Sequence, residues 1–96
     1  MSEYDDYSTV FKALADPLRL RLLDTLPGRE EKRTFCVCEL ASRLGVSQPC
    51  LSHHLNILKT AGLVGFRKDG CSAFYFVEKA QLGEALDAFR RRIQAE

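Results

Sequence analysis

The residues best suited to chemistry in this chain are sulfurs. Of its four cysteines, Cys36 and Cys38 stand one residue apart, and Cys50 and Cys71 are isolated. Thiolates select soft ions, among them trivalent arsenic and antimony, cadmium, lead, zinc and copper(I). In a regular α-helix residues i and i+2 lie about 200° apart around the axis, so two such sulfurs do not readily grip one ion. In extended backbone they point the same way. If Cys36 and Cys38 begin a helix, binding both to one centre is expected to unwind that start. Candidates for a third ligand are Cys50 and Cys71. Cys50 shares a helical stripe with His54, Ile57 and Ala61, where its plainer role is a small apolar filler. Cys71 follows a hairpin turn, where its plainer role is an ordinary loop residue, though an exposed thiol there can react.

Other chemistry is thinly represented. His53 and His54 are the only histidines, and neither has a cysteine partner at zinc-finger spacing. No Ser/His/Asp set, phosphate loop or carboxylate pair in a plausible cleft is present, so an enzyme is not expected. The acidic opening Met-Ser-Glu-Tyr-Asp-Asp lacks the regions of a signal peptide, and no apolar run is long enough to cross a bilayer. We therefore expect a cytoplasmic protein without membrane association, whose thiols stay reduced.

The elements that must position these residues follow from periodicity. Ninety-six residues, 46% hydrophobic and 28% charged, predict one folded domain. Its fold class is mainly α with a small β-hairpin. Ser8 is placed to cap a first helix carrying Val10, Phe11 and Leu14. Asp16 and Pro17 suit the N-cap and first position of a second, with Leu18, Leu22, Leu23 and Leu26 on its core face. Arg29 to Arg33 reads as a solvated loop. A third helix over Leu40, Ala41 and Leu44 stops at Gly45, and Ser47 caps a fourth with Leu51, Leu55 and Leu58 inward. Runs around Asp69-Gly70 form a hairpin. Leu82, Ala85, Leu86, Phe89 and Ile93 stripe a last helix.

The third and fourth helices have helix-turn-helix spacing, over about 37–61, with the wing over about 63–77 and the last helix over about 79–94. Beside its leucines the fourth helix carries Gln48, Ser52, His53, Asn56 and Lys59, polar side chains suited to base edges and phosphates. Ser47 opens that helix and joins the candidate contacts. Arg67 and Lys68 lie near the hairpin tip, where a wing meets the DNA backbone or minor groove. Net charge is only +1, so a nucleic-acid reading rests on placement rather than bulk charge.

Several runs together resemble the ArsR/SmtB family of metal-responsive repressors. They are Phe11-Lys12-Ala13-Leu14-Ala15-Asp16-Pro17-Leu18-Arg19, Cys36-Val37-Cys38-Glu39-Leu40, Ser47-Gln48-Pro49, Ser52-His53-His54-Leu55, Ala61-Gly62-Leu63-Val64 and the wing from Phe66 to Gly70 with Tyr75. The resemblance covers nearly the whole chain. It implies a homodimeric winged helix, paired through first and last helices, that binds double-stranded operator DNA and leaves it when an inducer binds. It also implies that a Cys-Val-Cys here takes arsenic, antimony, cadmium or lead. Arsenic-responsive relatives commonly carry a further cysteine where this chain has Ala41. The last helix has no histidine, so the zinc site some relatives build there cannot form. Two other readings stand beside this one. The first is a thiol-redox switch in the same fold, for which Cys36 and Cys38 make a poor disulfide pair. The second is a metal-buffering or interaction module without DNA activity.

Overall fold

The computed structural model describes residues 3–31, 35–70 and 72–95. Helix α1 spans Glu3–Leu14, α2 Pro17–Thr25, α3 Val37–Leu44 and α4 Gln48–Thr60. Strands β1, Val64–Asp69, and β2, Ser72–Val77, form an antiparallel hairpin, and α5 spans Lys79–Gln94.

The helix starts follow local chemistry, with one exception to the sequence expectation. Ser8 lies inside α1 rather than at its cap. Glu3, Asp5 and Asp6 in the first turn complement the positive end of the helix. Tyr7 and Phe11 then anchor α1 edge-on against Phe89 of α5, with centroids 5.1 and 5.0 Å apart. These long-range contacts carry the helix past its local start signal. Asp16 caps α2 as expected, accepting from the Leu18 and Arg19 amides at 2.8 and 3.2 Å. Ser47 caps α4, accepting from the Cys50 amide at 3.2 Å. Gly45 ends α3 in the left-handed region at φ 70°, which only glycine adopts without strain.

The core lies where α2, α3, α4 and the base of the hairpin meet. Leu22, Leu40, Leu51, Leu55, Leu58 and Leu63 are its largest fully buried side chains. Each contributes roughly 1.5–3 kcal/mol by leaving water. At the hairpin base Gly65 faces Phe76, and a Cβ at Gly65 would come within 2.7 Å of that ring. Glycine there lets Phe76 fold flat over the strand pair.

The charged loop is tied down more firmly than its composition suggests. Arg29 forks onto Glu78 at 3.1 and 2.8 Å, and Lys79 reaches Glu31 at 3.3 Å. The Arg29 guanidinium also stacks 4.7 Å from the Phe76 centroid. Its described part, Arg29 to Glu31, is thereby fixed to the junction of β2 and α5.

Helix α5 keeps no buried residue. Leu82 reaches the core and Phe89 meets α1, but Leu86 is 41% and Ile93 66% exposed. The apolar stripe is therefore only partly covered within one chain.

Candidate DNA-reading surface and sulfur site

Helix α4 separates its faces as expected. Leu51, Leu55 and Leu58 are buried, and Ser47, Gln48, Ser52, His53, Asn56 and Lys59 are exposed. At 100° per residue, Gln48, Ser52, His53, Asn56 and Lys59 fall within an arc of about 140°. His54, Ile57 and Cys50 form a half-buried flank beside it. Pro49 in the first turn needs no amide partner, and Gly62 at φ 79° turns the chain into β1.

The wing carries its two basic residues on opposite faces. The register pairs Phe66 with Tyr75 and Lys68 with Ala73 on one face, and Arg67 with Phe74 on the other. Lys59 of α4 sits over Phe66, its ammonium 4.6 Å from the ring centroid. That contact joins α4 to the Lys68 face. Arg67 turns back instead, 5.4 Å from the Phe76 centroid and 3.4 Å from the Arg29 carbonyl. Both cations are exposed, but the hairpin does not bring them together.

The sulfur pair departs from the expected geometry. Cys36 is not inside α3 but is its N-cap, extended at φ −76° and ψ 163°. Cys38 occupies the second helical position. One residue outside and one inside the helix turn their side chains toward each other, and the sulfurs stand 2.9 Å apart. Both can therefore approach one centre without unwinding α3, which corrects the expectation of a forced unwinding. Cys36 is half-buried and Cys38 exposed. The hydrogen bond from Cys38, helped by the Glu39 amide, holds the Cys36 thiol below the usual cysteine range. The same contact, with partial desolvation, raises that of Cys38. Either sulfur can donate to the other, so the two thiols titrate as a pair.

Cys36 also belongs to the wing. Its backbone forms an antiparallel bridge with Phe74 of β2, and its carbonyl accepts from the Leu40 amide at 3.0 Å. The preceding Phe35 is buried, with Arg43 stacked 4.6 Å from its centroid. One residue thus carries a sulfur, closes the first turn of α3 and holds a strand of the hairpin.

Cys50 does not join the pair. Among the described residues no three of His, Cys, Asp and Glu are grouped so as to hold a metal. The reason is the length of α3: eight residues rise about 12 Å. Cys36 and Cys38 sit at one end, whereas Cys50 follows the turn at the other. Cys71, the other candidate ligand, lies outside the described residues.

Arg19 escaped the sequence reading. It lies on the leucine face of α2, between Leu18 and Leu22 in the sequence, and its side chain is only 12% exposed. The signals available were its place at the end of the family-like run from Phe11 and its position three residues after the capping Asp16.

The arsR family of bacterial regulatory proteins matches residues 16–65, from the cap of α2 into β1. The chain belongs to that family. It is 41% identical over 86 residues to an uncharacterized helix-turn-helix transcriptional regulator of Methanocaldococcus jannaschii, covering 90% of this chain and 93% of that one. It is 39% identical over 83 residues to the arsenical resistance operon repressor of Staphylococcus aureus, covering 86% and 76%. It is 37% identical over 75 residues to the cadmium resistance regulatory protein CadC of Listeria innocua, covering 78% and 60%. Among solved structures, an ArsR-like regulator from Rhodococcus sp. RHA1 superposes with a TM-score of 0.80 at 31% identity, covering 95% and 82%. The fold is a winged helix-turn-helix, and the chain is a DNA-binding transcriptional regulator rather than an enzyme.

Proposed function

We propose that this arsR-family protein is a homodimeric repressor, released from operator DNA when trivalent arsenic or antimony binds Cys36 and Cys38. The observation that carries the reading is the convergence of two accessible sulfurs on the residue that both caps α3 and bridges to β2. The donors fit a thiophilic ion: two soft sulfurs 2.9 Å apart that can face one centre. Such an ion supplies bonds to both thiolates. The residues do the rest. Any shift of Cys36 disturbs the amide closing α3, which supports α4, and the bridge holding the wing at the Phe74–Arg67 pair. Both DNA-facing elements are loosened from one point, and a ligand that prefers the shifted arrangement lowers DNA affinity by its differential binding.

In this reading Ser47, Gln48, Ser52, His53, Asn56 and Lys59 meet the major groove, with Lys68 and Arg67 at the flanking backbone. The uncovered apolar faces of α1 and α5 favour pairing with a second copy. The cadmium resistance relative supports cadmium, or similarly soft lead, as the alternative inducer.

The test is a gel-shift titration on duplex DNA selected by the native protein from a random-sequence pool. Arsenite, antimonite, cadmium and lead are each added to native protein and to Cys36→Ser and Cys38→Ser. One ion should release the native protein and fail on both variants. Release of both variants by that same ion would exclude this sensor.

A further inference from the structure

Arg19 makes contacts that DNA binding by α4 leaves unexplained. Its Nε donates to the Ala13 carbonyl at 2.7 Å and one terminal nitrogen to the Lys12 carbonyl at 3.1 Å. The other terminal nitrogen lies 3.0 Å from His54 Nδ1 on α4 and 4.0 Å from the Asp16 carboxylate. A guanidinium has only donors, so Nδ1 of His54 must accept, which leaves the proton on Nε2. His54 in turn packs edge-on against His53, with centroids 5.3 Å apart, and His53 is on the exposed arc. One planar group thus fastens the last carbonyls of α1, the cap of α2 and the middle of α4.

We infer that Arg19 is a positioning residue for operator recognition, fixing the rotation of α4 about its axis through His54. The leucine face holds α4 against the core, but apolar packing is non-directional. A forked hydrogen-bond donor is directional, and its planar geometry is set in advance. Loss of the contact lets α4 turn slightly, which moves Gln48, Ser52 and Asn56 relative to base edges while phosphate attraction persists. Because α1 also carries Tyr7 and Phe11 against α5, the same clamp ties the rotation of α4 to the α1–α5 layer. The inference rests on α4 being the groove-reading helix, and the experiment separates the two.

The variants are His54→Leu, which removes the acceptor, and His54→Asn, whose side-chain oxygen can take the place of Nδ1. Arg19→Lys keeps charge without the fork. Each is measured by fluorescence anisotropy on the selected duplex and on a random duplex, with thermal melting alongside. His54→Leu and Arg19→Lys should lose about tenfold on the selected duplex and little on the random one. His54→Asn should recover most of that loss. Nitrogen-15 NMR of the native protein should show the Nε2–H tautomer at His54. Full discrimination in His54→Leu, or an Nδ1–H tautomer, overturns the inference. So does His54→Asn as weak as His54→Leu with melting lowered equally, which marks a packing effect. Gln48→Ala is the control: if it discriminates like the native protein, α4 does not read the groove and the inference falls with it.

Discussion

At the scale of single residues, the proposed DNA contacts of the α4 arc and of the wing should be separable. Gln48 is suited to a bidentate contact with an adenine edge, so Gln48→Ala should cost about 1–3 kcal/mol at one base position and relax specificity there. Binding to a panel of single-base variants of the selected duplex checks it. Lys68 at the hairpin tip is suited to phosphate. With one Lys68 on each half-site of the proposed dimer, Lys68→Ala should weaken all duplexes alike and flatten the slope of log affinity against log salt by about two. Residue identity along α4 was legible from leucine periodicity, because a helix buried on one face must show the other. The relation of Cys36 to Cys38 was not. It turns on whether the helix starts before or after Cys36, and a one-residue boundary decides whether two side chains diverge or converge. Arg19 was equally hidden, since a charged residue in an apolar stripe shows its partners only once α1 and α4 have docked.

At the scale of elements, two junctions carry predictions. Ser47 satisfies an orphan amide at the start of α4, so Ser47→Ala should cost about 1 kcal/mol of stability. For a domain of this size that lowers the melting temperature by roughly 4–8 °C, read by circular dichroism. At the start of α5, the hydrogen bond from Arg29 and its charge hold Glu78 below the usual carboxylate range. A group whose pKa is depressed on folding stabilises above its unfolded value, near 4.3, and loses that contribution as the pH falls through its folded value. Glu78→Gln should therefore melt earlier than the native protein at neutral pH, and the gap should close as the pH falls below the unfolded value and through the folded one. Melting scans across pH test this. Helix-turn-helix and hairpin are legible in the sequence because Gly45, Ser47 and Gly62 are local signals. The beginning of α1 is not, because Phe89, far along the chain, extends it beyond Ser8.

At the scale of the whole molecule, the exposed side of α5 decides the assembly. Leu86 and Ile93 face outward beside the aromatic contacts of α1 and α5. An apolar stripe left uncovered on a small domain marks an interaction surface. In the proposed dimer, Ile93→Asp should shift the chain toward monomer in sedimentation velocity while leaving its helical content intact. DNA affinity should fall with it, because two half-sites are then no longer held by one particle. A dimer that survives this change with Leu86→Glu added would place the pairing surface elsewhere. The stripe itself is plain in the sequence, but whether its own chain covers it is a property of the assembled layers alone.

The placement of Cys36 just outside α3 has a kinetic corollary. A site whose two donors are already adjacent has no melting step ahead of capture. Uptake of the proposed inducer should then be first order in its concentration across a wide range, without the plateau that a slow opening imposes. Substitutions that stiffen α3, such as Ser42→Ala on its exposed side, should leave the capture rate unchanged and delay only the departure from DNA.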